Sequence, residues 1–346
     1  MARGEELDVG GVRRRVTAQV AVVVLALAGL VAAPSAALAV KPLWKLTVVV
    51  DVPNSVAAKH GGPTLMLSKI MTQFGDVARF MNEDQKLAGT IDFSISKVNF
   101  FDGVPADVVH QPHPGVMTRV VYEEDQTEAR GGSYGGDLPA AILHSWPTDR
   151  GGVFGPYATD GLVHEFGHQR GAIDNYGQDV DAASNPVDAK GFTSPTSIME
   201  NPYGVHTWDA FAAGVINRAG PGEGNVVPAL ASQSFPRTIR VRVVTSSGAA
   251  FRGATVRLYP VEWFSRSVRP ESVFVGKTDS SGYLVLPYNP FEPGVGKGAW
   301  DVRYANFLVR ATTTNRGSGS GWMPLSAVGG TYYSGATTHT VKLVLR

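Results

Sequence analysis

The stretch from Asp160 to Asp174 constrains this chain more than any other part of it. It contains His164, Glu165 and His168 in the pattern H-E-x-x-H, which on a helix binds zinc and supplies a general base. Residues four apart on a helix share one face, with Cβ atoms about 5–6 Å apart, so both imidazoles can reach the same ion. We therefore predict a zinc helix with two histidine ligands and with Glu165 beside the position of a reacting water.

The third ligand decides what kind of zinc site this is. If the helix continued past His168, Asp174 would lie about 9 Å further along its axis. That is too far for a ligand bond of about 2.0–2.2 Å to the same ion. The helix must therefore end first, and Gly171 is able to adopt the left-handed conformation that ends helices. We predict Asp174 as the third ligand. If Asp174 instead caps the helix end, the alternative ligands are Asp179, Asp181 and Glu200.

Composition limits the class of protein. The chain has 346 residues, enough for about two domains. Its 31 basic and 30 acidic residues nearly balance, which gives no electrostatic reason to expect nucleic acid or an anionic membrane as a partner. The chain has no cysteine, so it has neither disulfides nor thiolate zinc ligands.

Residues 1–39 have the pattern of a secretory signal peptide. A basic segment at residues 13–15 precedes an apolar stretch at residues 20–33 and a small-x-small cleavage site at residues 37–39. The apolar stretch is shorter than the roughly 20 residues that a spanning helix needs. We predict secretion with no stable membrane insertion after cleavage, and an uncleaved anchor is the alternative. A secreted chain without cysteine fits a bacterial exporter best.

Residues 40–218 are predicted to form an α/β domain with the zinc helix behind a sheet. Residues 46–52 are a β-branched run, which is typical of a buried strand. A helix that opens at Pro63 has an apolar stripe that includes Leu67 and Met71. The other predicted strands are residues 90–96, 117–122 and 140–146.

Local features complete the prediction for this domain. The Gly-rich residues 123–136 are predicted to be a loop beside a cleft, and Thr159 or Asp160 to be the N-cap of the zinc helix. Thr207 is predicted to cap a later helix. His206 either lines the substrate pocket or belongs to the start of that helix. The remaining histidines of the domain are predicted to be structural: His110, His113 and His144.

The sequence pattern changes after a predicted linker, residues 219–236, which contains several Gly and Pro residues that interrupt secondary structure. In residues 237–346, short alternating segments are separated by turn signals such as Asp279-Ser-Ser-Gly282. This pattern predicts an all-β sandwich, with no helix of consequence.

The pattern His164-Glu165-x-x-His168-x-x-Gly171-x-x-Asp174, followed by Ser197-Ile198-Met199, resembles the metzincin metalloproteases. It is most similar to the snapalysin-like variant, in which aspartate is the third ligand. The resemblance covers roughly residues 46–218. It implies a zincin-like catalytic domain in which a methionine turn lies beneath the zinc. Residues 237–346 resemble transthyretin-like or collagen-adhesin-type sandwiches.

Two further residues take their roles from this resemblance. Met199 would form the methionine turn, and a plain core residue is the alternative. Several metzincins have a tyrosine two residues after that methionine, where this chain has Asn201. The nearest tyrosine is Tyr203, which would contact the oxyanion or the substrate, or would simply pack.

These observations predict a secreted zinc endopeptidase that acts on protein or peptide substrates, with Glu165 as the general base. One alternative is a non-catalytic adhesion or binding protein with a structural zinc site. Another is a zinc hydrolase of a non-protein amide. The C-terminal sandwich would bind a cell-wall or matrix ligand, or would only stabilise the enzyme.

Overall fold

The computed structural model describes the greater part of the chain beyond the predicted signal peptide. The described residues are 40–109, 111–124, 130–134, 141–221, 234–263, 265–291 and 302–346. The signal segment 1–39, most of the linker 219–236 and His110 lie outside them. No helix within the described ranges is long and apolar enough to cross a membrane.

Five strands of the first half form one mixed sheet. They are Leu43–Pro53 (β1), Thr90–Phe101 (β2), Thr118–Glu123 (β3), Arg130–Tyr134 (β4) and Ala141–Ser145 (β5). Their order across the sheet is β2-β1-β3-β5-β4. The first four in this order run parallel, and β4 pairs antiparallel with β5 at the edge.

Strand β4 corrects the prediction that residues 123–136 form a loop. Its sequence contains Gly131 and Gly132, which contribute no side chains to an alternating pattern. This strand forms through backbone pairing with β5. The sequence pattern of residues 130–134 does not predict it.

Four helices accompany this sheet. They are Asn54–Lys59 (α1), Pro63–Asn82 (α2), Ala158–Gln169 (α3) and Ala210–Ala219 (α4). The predicted stripe of α2 is wrong in part, because Leu67 is 43% exposed and Met71 is 55% exposed. The buried side chains of α2 are Met66, Ile70, Gln73, Phe74, Val77 and Met81. Except for the polar Gln73, they form a common apolar core with the sheet, α3 and part of α4.

Seven strands of the second half form two further sheets. They are Thr238–Val244 (β6), Thr255–Glu262 (β7), Phe274–Lys277 (β8), Tyr283–Val285 (β9), Tyr304–Thr312 (β10), Ser318–Pro324 (β11) and Thr338–Val344 (β12). The strand orders are β11-β10-β7-β8 and β12-β6-β9. Buried side chains of both sheets contribute to one core. The protein is thus a mixed α/β protein with several sheets, as the sequence predicts in outline.

A helix at Leu325–Tyr333 (α5) corrects the expectation that this half has no helix of consequence. Gly329 and Gly330 lower its intrinsic helix propensity. The glycines instead permit close packing on α4, since a Cβ on Gly329 would lie 2.2 Å from the ring of Phe211. On the other side of the contact, a Cβ on Gly214 would lie 2.2 Å from the ring of Tyr333. Tertiary contacts override local preference here.

This contact joins the two halves of the chain. Phe211 and Val215 of α4, together with Ile173 just before the predicted third ligand, belong to the core of the two C-terminal sheets. The division into domains at residues 219–236 stays a prediction. Whatever its outcome, apolar side chains from both sides of that boundary share one core.

Candidate metal centre

Three predicted ligands converge at the C-terminal part of α3. The Nε2 atoms of His164 and His168 lie 3.0 Å apart. Asp174 Oδ1 lies 3.1 Å from the first of these nitrogens and 3.0 Å from the second. Within the described residues, this is the group of His, Cys, Asp and Glu side chains that could hold a metal ion, and all three side chains are buried. The alternative acids Asp179, Asp181 and Glu200 do not belong to it.

The donor atoms of these residues fit a divalent metal. The Nδ1 atom of His164 lies 2.9 Å from the carbonyl oxygen of Ile198, and that of His168 lies 3.0 Å from the carbonyl oxygen of Ala172. Because a carbonyl oxygen can only accept, each Nδ1 carries the proton, and each Nε2 presents the lone pair that can bind a metal. Asp174 Oδ1 is buried, and its near neighbours are the two Nε2 atoms. Two imidazole nitrogens and one carboxylate oxygen are a donor set that zinc uses in hydrolytic enzymes.

The end of α3 brings the third ligand back to the first two. Gly171 has a φ angle of 97°, in the left-handed region. Its N–H donates to the carbonyl oxygen of His168 over 2.9 Å, and the N–H of Ala172 donates to that of Gly167 over 3.0 Å. These two bonds form a Schellman motif, which ends a helix and reverses the chain. The predicted helix stop at Gly171 is confirmed.

The start of α3 differs from the prediction. The helix begins at Ala158, and Tyr157 precedes it with a φ angle of 66°, so neither Thr159 nor Asp160 is the N-cap. The Asp160 carboxylate instead accepts a hydrogen bond of 2.8 Å from the N–H of Gly204. The sequence suggested that Asp160 caps its own helix, but its carboxylate binds the segment that contains Tyr203.

His206 fixes the same segment from its other end. Its ring stacks on Phe80 with centroids 3.7 Å apart. Its Nε2 lies 3.0 Å from Asp160, and its Nδ1 lies 3.0 Å from Glu83. His206 therefore ties residues 200–207 to α2 and α3. The predicted cap at Thr207 is wrong, because Asp209 caps α4 by accepting from two backbone N–H groups.

Glu165 lies beside the ligands on α3. It is 7% exposed, and its Oε2 atom has no hydrogen-bond partner. Burial raises the pKa of this carboxyl, the two histidines lower it, and Asp174 adds to the rise. A buried carboxylate with one unpartnered oxygen and a raised pKa is suited to accept a proton and return it.

The electrostatics of the ligand pair are strongly coupled. Burial by itself lowers the pKa of His168, but the Asp174 carboxylate, with help from Glu165, raises it to about 9. Burial raises the pKa of Asp174, but the two histidines hold it well below its usual range. Without metal, the site thus holds a proton where a cation would otherwise bind.

Tyr176 is a site residue that the sequence analysis missed. Its side chain forms a hydrogen bond with Asp174, and its ring lies nearly parallel to that of His164, with centroids 6.4 Å apart. Burial and then the Asp174 carboxylate raise its pKa, so the hydroxyl stays protonated. The prediction considered only the tyrosine after Met199. The sequence feature that could have indicated Tyr176 is its position, two residues after the third ligand Asp174.

Met199 is fully buried against α3. A Cβ placed on Gly167 would lie 2.9 Å from its sulfur, so the methionine packs on the turn between the two histidine ligands. Its carbonyl oxygen accepts a 2.7 Å hydrogen bond from the N–H of Asn175, which follows the third ligand. Its role as a methionine turn stays a prediction.

Tyr203 is half exposed and lines an open cleft of about 580 Å³. Its ring contacts those of Trp146 and Tyr157, at centroid distances of 6.1 and 5.7 Å. Pro156 and Tyr157, which immediately precede α3, also line the cleft, so it lies beside the start of the helix that carries the two histidines. Of the predicted structural histidines, His144 is a buried residue of β5, and burial lowers its pKa to about 4.

Comparisons with known proteins do not assign a family. No protein-family model matches the chain, and no curated protein matches it. Among solved structures, it has a similarity to 3-chlorocatechol 1,2-dioxygenase from Rhodococcus opacus 1CP, with 12% identity and a TM-score of 0.19. The match covers 31% of this chain and 58% of that one. A likeness this weak carries no argument about function.

Proposed function

We propose that the chain is a secreted zinc endopeptidase of the metzincin type, nearest the snapalysin-like variant. The observation that carries the proposal is the convergence of His164, His168 and Asp174 beside the unpaired carboxylate of Glu165. When bound, a zinc ion supplies a Lewis acid that lowers the pKa of water to about 7. A purely structural site needs no carboxylate beside it, so Glu165 favours catalysis over a structural zinc.

Glu165 accepts the proton of the attacking water and returns it to the leaving amine. Its raised pKa makes the carboxylate a stronger base than that of an exposed glutamate, which suits it to take the proton of the water in the first step. The buried position excludes competing water from its oxygens. The two histidines and Asp174 hold the metal and do not transfer protons.

Tyr176 is the better placed of the two tyrosines to donate to the developing oxyanion. Its hydroxyl already touches a ligand carboxylate and keeps its proton. Its single hydroxyl proton would turn from Asp174 to the oxyanion and stabilise the charge of the tetrahedral state there. Tyr203 lies in the cleft beside the start of α3, where its ring would contact a side chain of the substrate.

The neighbouring sheet edge favours a peptide over another amide. Strand β4 ends the sheet, with no partner strand on its outer side in the described part of the chain, and α3 packs against it. A free strand edge presents backbone N–H and C=O groups that pair with an extended peptide. The aromatic cleft beside the start of α3 would then hold one of its side chains.

Glu165→Gln tests the proposal, because the amide keeps the shape of the side chain but cannot take a proton. We expect the variant to keep its zinc, measured by elemental analysis, and to lose about 10²–10⁴-fold in casein or peptide cleavage. Glu262→Gln, the same change at a half-exposed site on β7, is the control and should retain both. Full activity in zinc-loaded Glu165→Gln protein would exclude this mechanism.

A further inference from the structure

The segment that carries the third ligand is held by the C-terminal half of the protein. Asp174 is followed by a single 3₁₀ turn, Asn175–Gln178, which has too few backbone hydrogen bonds of its own to fix a ligand. Ile173, immediately before the ligand, is fully buried in the core of the two C-terminal sheets. Asp174 therefore lies between two residues, Ile173 and Gln178, whose contacts are with the C-terminal half.

Gln178 is the polar anchor. It is fully buried, and its side-chain oxygen accepts 2.9 Å hydrogen bonds from both the N–H and the hydroxyl of Ser326, the second residue of α5. Its backbone oxygen accepts a 3.0 Å bond from the side chain of Asn306 on β10. Asn306 is itself fully buried. Three hydrogen bonds thus cross from the ligand segment to the C-terminal half.

The side chain of Gln178 also contacts the residue next to Asp174. The Gln178 amide donates a 2.8 Å hydrogen bond to the side-chain oxygen of Asn175, the residue after Asp174. Asn175 in turn donates a 2.7 Å bond to Asp209, the N-cap of α4. Its backbone N–H is bonded to Met199. The ligand segment is consequently fixed from both halves through one buried network.

We propose that Gln178, bound by Ser326 and Asn306, is the positioning residue of the third metal ligand, so that the C-terminal sheets complete the metal site. The inference rests on the proposed metal site, but it does not require that the reaction be peptide hydrolysis. Residues that orient metal ligands typically contribute 10–100-fold to metal affinity. A buried amide that loses its hydrogen-bond partners is also destabilising, which opposes any displacement of the turn.

The test is the zinc affinity of Gln178→Met, which keeps the length of the side chain and removes its hydrogen bonds. Competition with a chromophoric chelator should show an affinity about 10–100-fold below that of wild type. The visible spectrum of the cobalt-substituted protein should change, because the carboxylate ligand is no longer held in place. Ser326→Ala removes one of the three bonds, and we expect a smaller loss of affinity.

Thr278→Val is the matched control. Thr278 is also buried in the C-terminal half, and its hydroxyl bonds to Phe251 and Ala254, away from the ligand segment. We expect it to unfold at lower denaturant concentration than wild type and to bind zinc with unchanged affinity. Stability loss alone is thereby separated from loss of positioning.

The outcomes separate the two proposals. If wild type binds zinc but cuts no peptide, the endopeptidase is wrong, and the affinities of the variants still decide the role of Gln178. If Gln178→Met and Ser326→Ala bind zinc as tightly as Thr278→Val, the positioning role is excluded. Should Gln178→Met not fold, Ser326→Ala alone decides, since it retains the bond from its backbone N–H. A wild type that binds no zinc overturns both proposals.

Discussion

The metal centre consists of two differently built parts. His164 and His168 come from one helix and are oriented by nearby carbonyl groups of Ile198 and Ala172. Asp174 comes from a short irregular segment whose contacts extend to α5 and β10, more than a hundred residues away in sequence. The helical part depends on local geometry, whereas the aspartate depends on long-range packing.

This difference explains what each part needs in order to bind a metal. Two histidines four apart share one face as soon as the helix forms, and the carbonyl of Ile198 then orients the ring of His164. The carboxylate is in place only when the rest of the chain has folded around it. The metal affinity of the site therefore has two contributions, one from the helix that carries the histidines and one from the long-range packing that holds Asp174. Substitutions can separate the two.

Removing one ligand from each part gives the largest effect. We expect His168→Ala to lose zinc affinity by about 10³-fold or more, well beyond the 10–100-fold typical of outer residues. Asp174→Ala should lose less, because the two helix-borne imidazoles remain in position. Chelator competition and residual casein cleavage measure the difference. Equal losses would contradict the division into two parts.

The helical part of the site is also the part that sequence predicts. The spacing of His164, Glu165 and His168 specifies one face of a helix, and Gly171 specifies its end, because both rules act over a few residues. Asp174 followed from excluding a continuous helix. Each of these inferences needs only backbone geometry.

The remaining features depend on contacts that no local pattern encodes. Strand β4 exists through pairing with β5, and α5 exists because its glycines fit against Phe211. Gln178 is an ordinary polar residue in a loop until Ser326 and Asn306 surround it. Asp160 resembles a helix cap in sequence but binds Gly204 across space. Long-range packing chooses among the roles that the sequence leaves open.

The pH dependence of the metal-free protein measures the bond between the two parts. Because the pKa of His168 is raised from 6.5 to about 9, its pairing with Asp174 stabilises the fold fully below pH 6.5 and is lost as pH rises through 9. Because the pKa of Asp174 is lowered, its contribution is present above its usual value of 3.8 and is lost in acid.

We therefore expect the free energy of unfolding in chelator to fall by about 3 kcal/mol between pH 6.5 and pH 9, at 1.36 kcal/mol per pKa unit. Asp174→Asn should show a much smaller fall over the same range. Denaturant titrations of both proteins at several pH values provide the measurement. A parallel fall in the two proteins would mean that the helical and irregular parts of the site are not electrostatically coupled.

Gly171 joins the two parts, and its substitution has the smallest expected effect. Its φ angle of 97° lies in the left-handed region, where a side chain costs about 1–2 kcal/mol. Gly171→Ala should therefore lower the unfolding free energy by about that amount. It should also weaken zinc binding, since the return of the chain toward Asp174 starts at this residue.

The control for Gly171→Ala is the same substitution within α2. A Cβ on Gly75 would meet no atom within 4 Å, and this glycine lies inside a helix, where alanine is preferred by about 0.5–1 kcal/mol. Gly75→Ala should thus stabilise the protein and leave zinc binding unchanged. If Gly171→Ala lowers the unfolding free energy and Gly75→Ala raises it, the effect at Gly171 comes from its backbone conformation. If Gly171→Ala is as stable as wild type, the Schellman turn is not what returns Asp174 to the histidines.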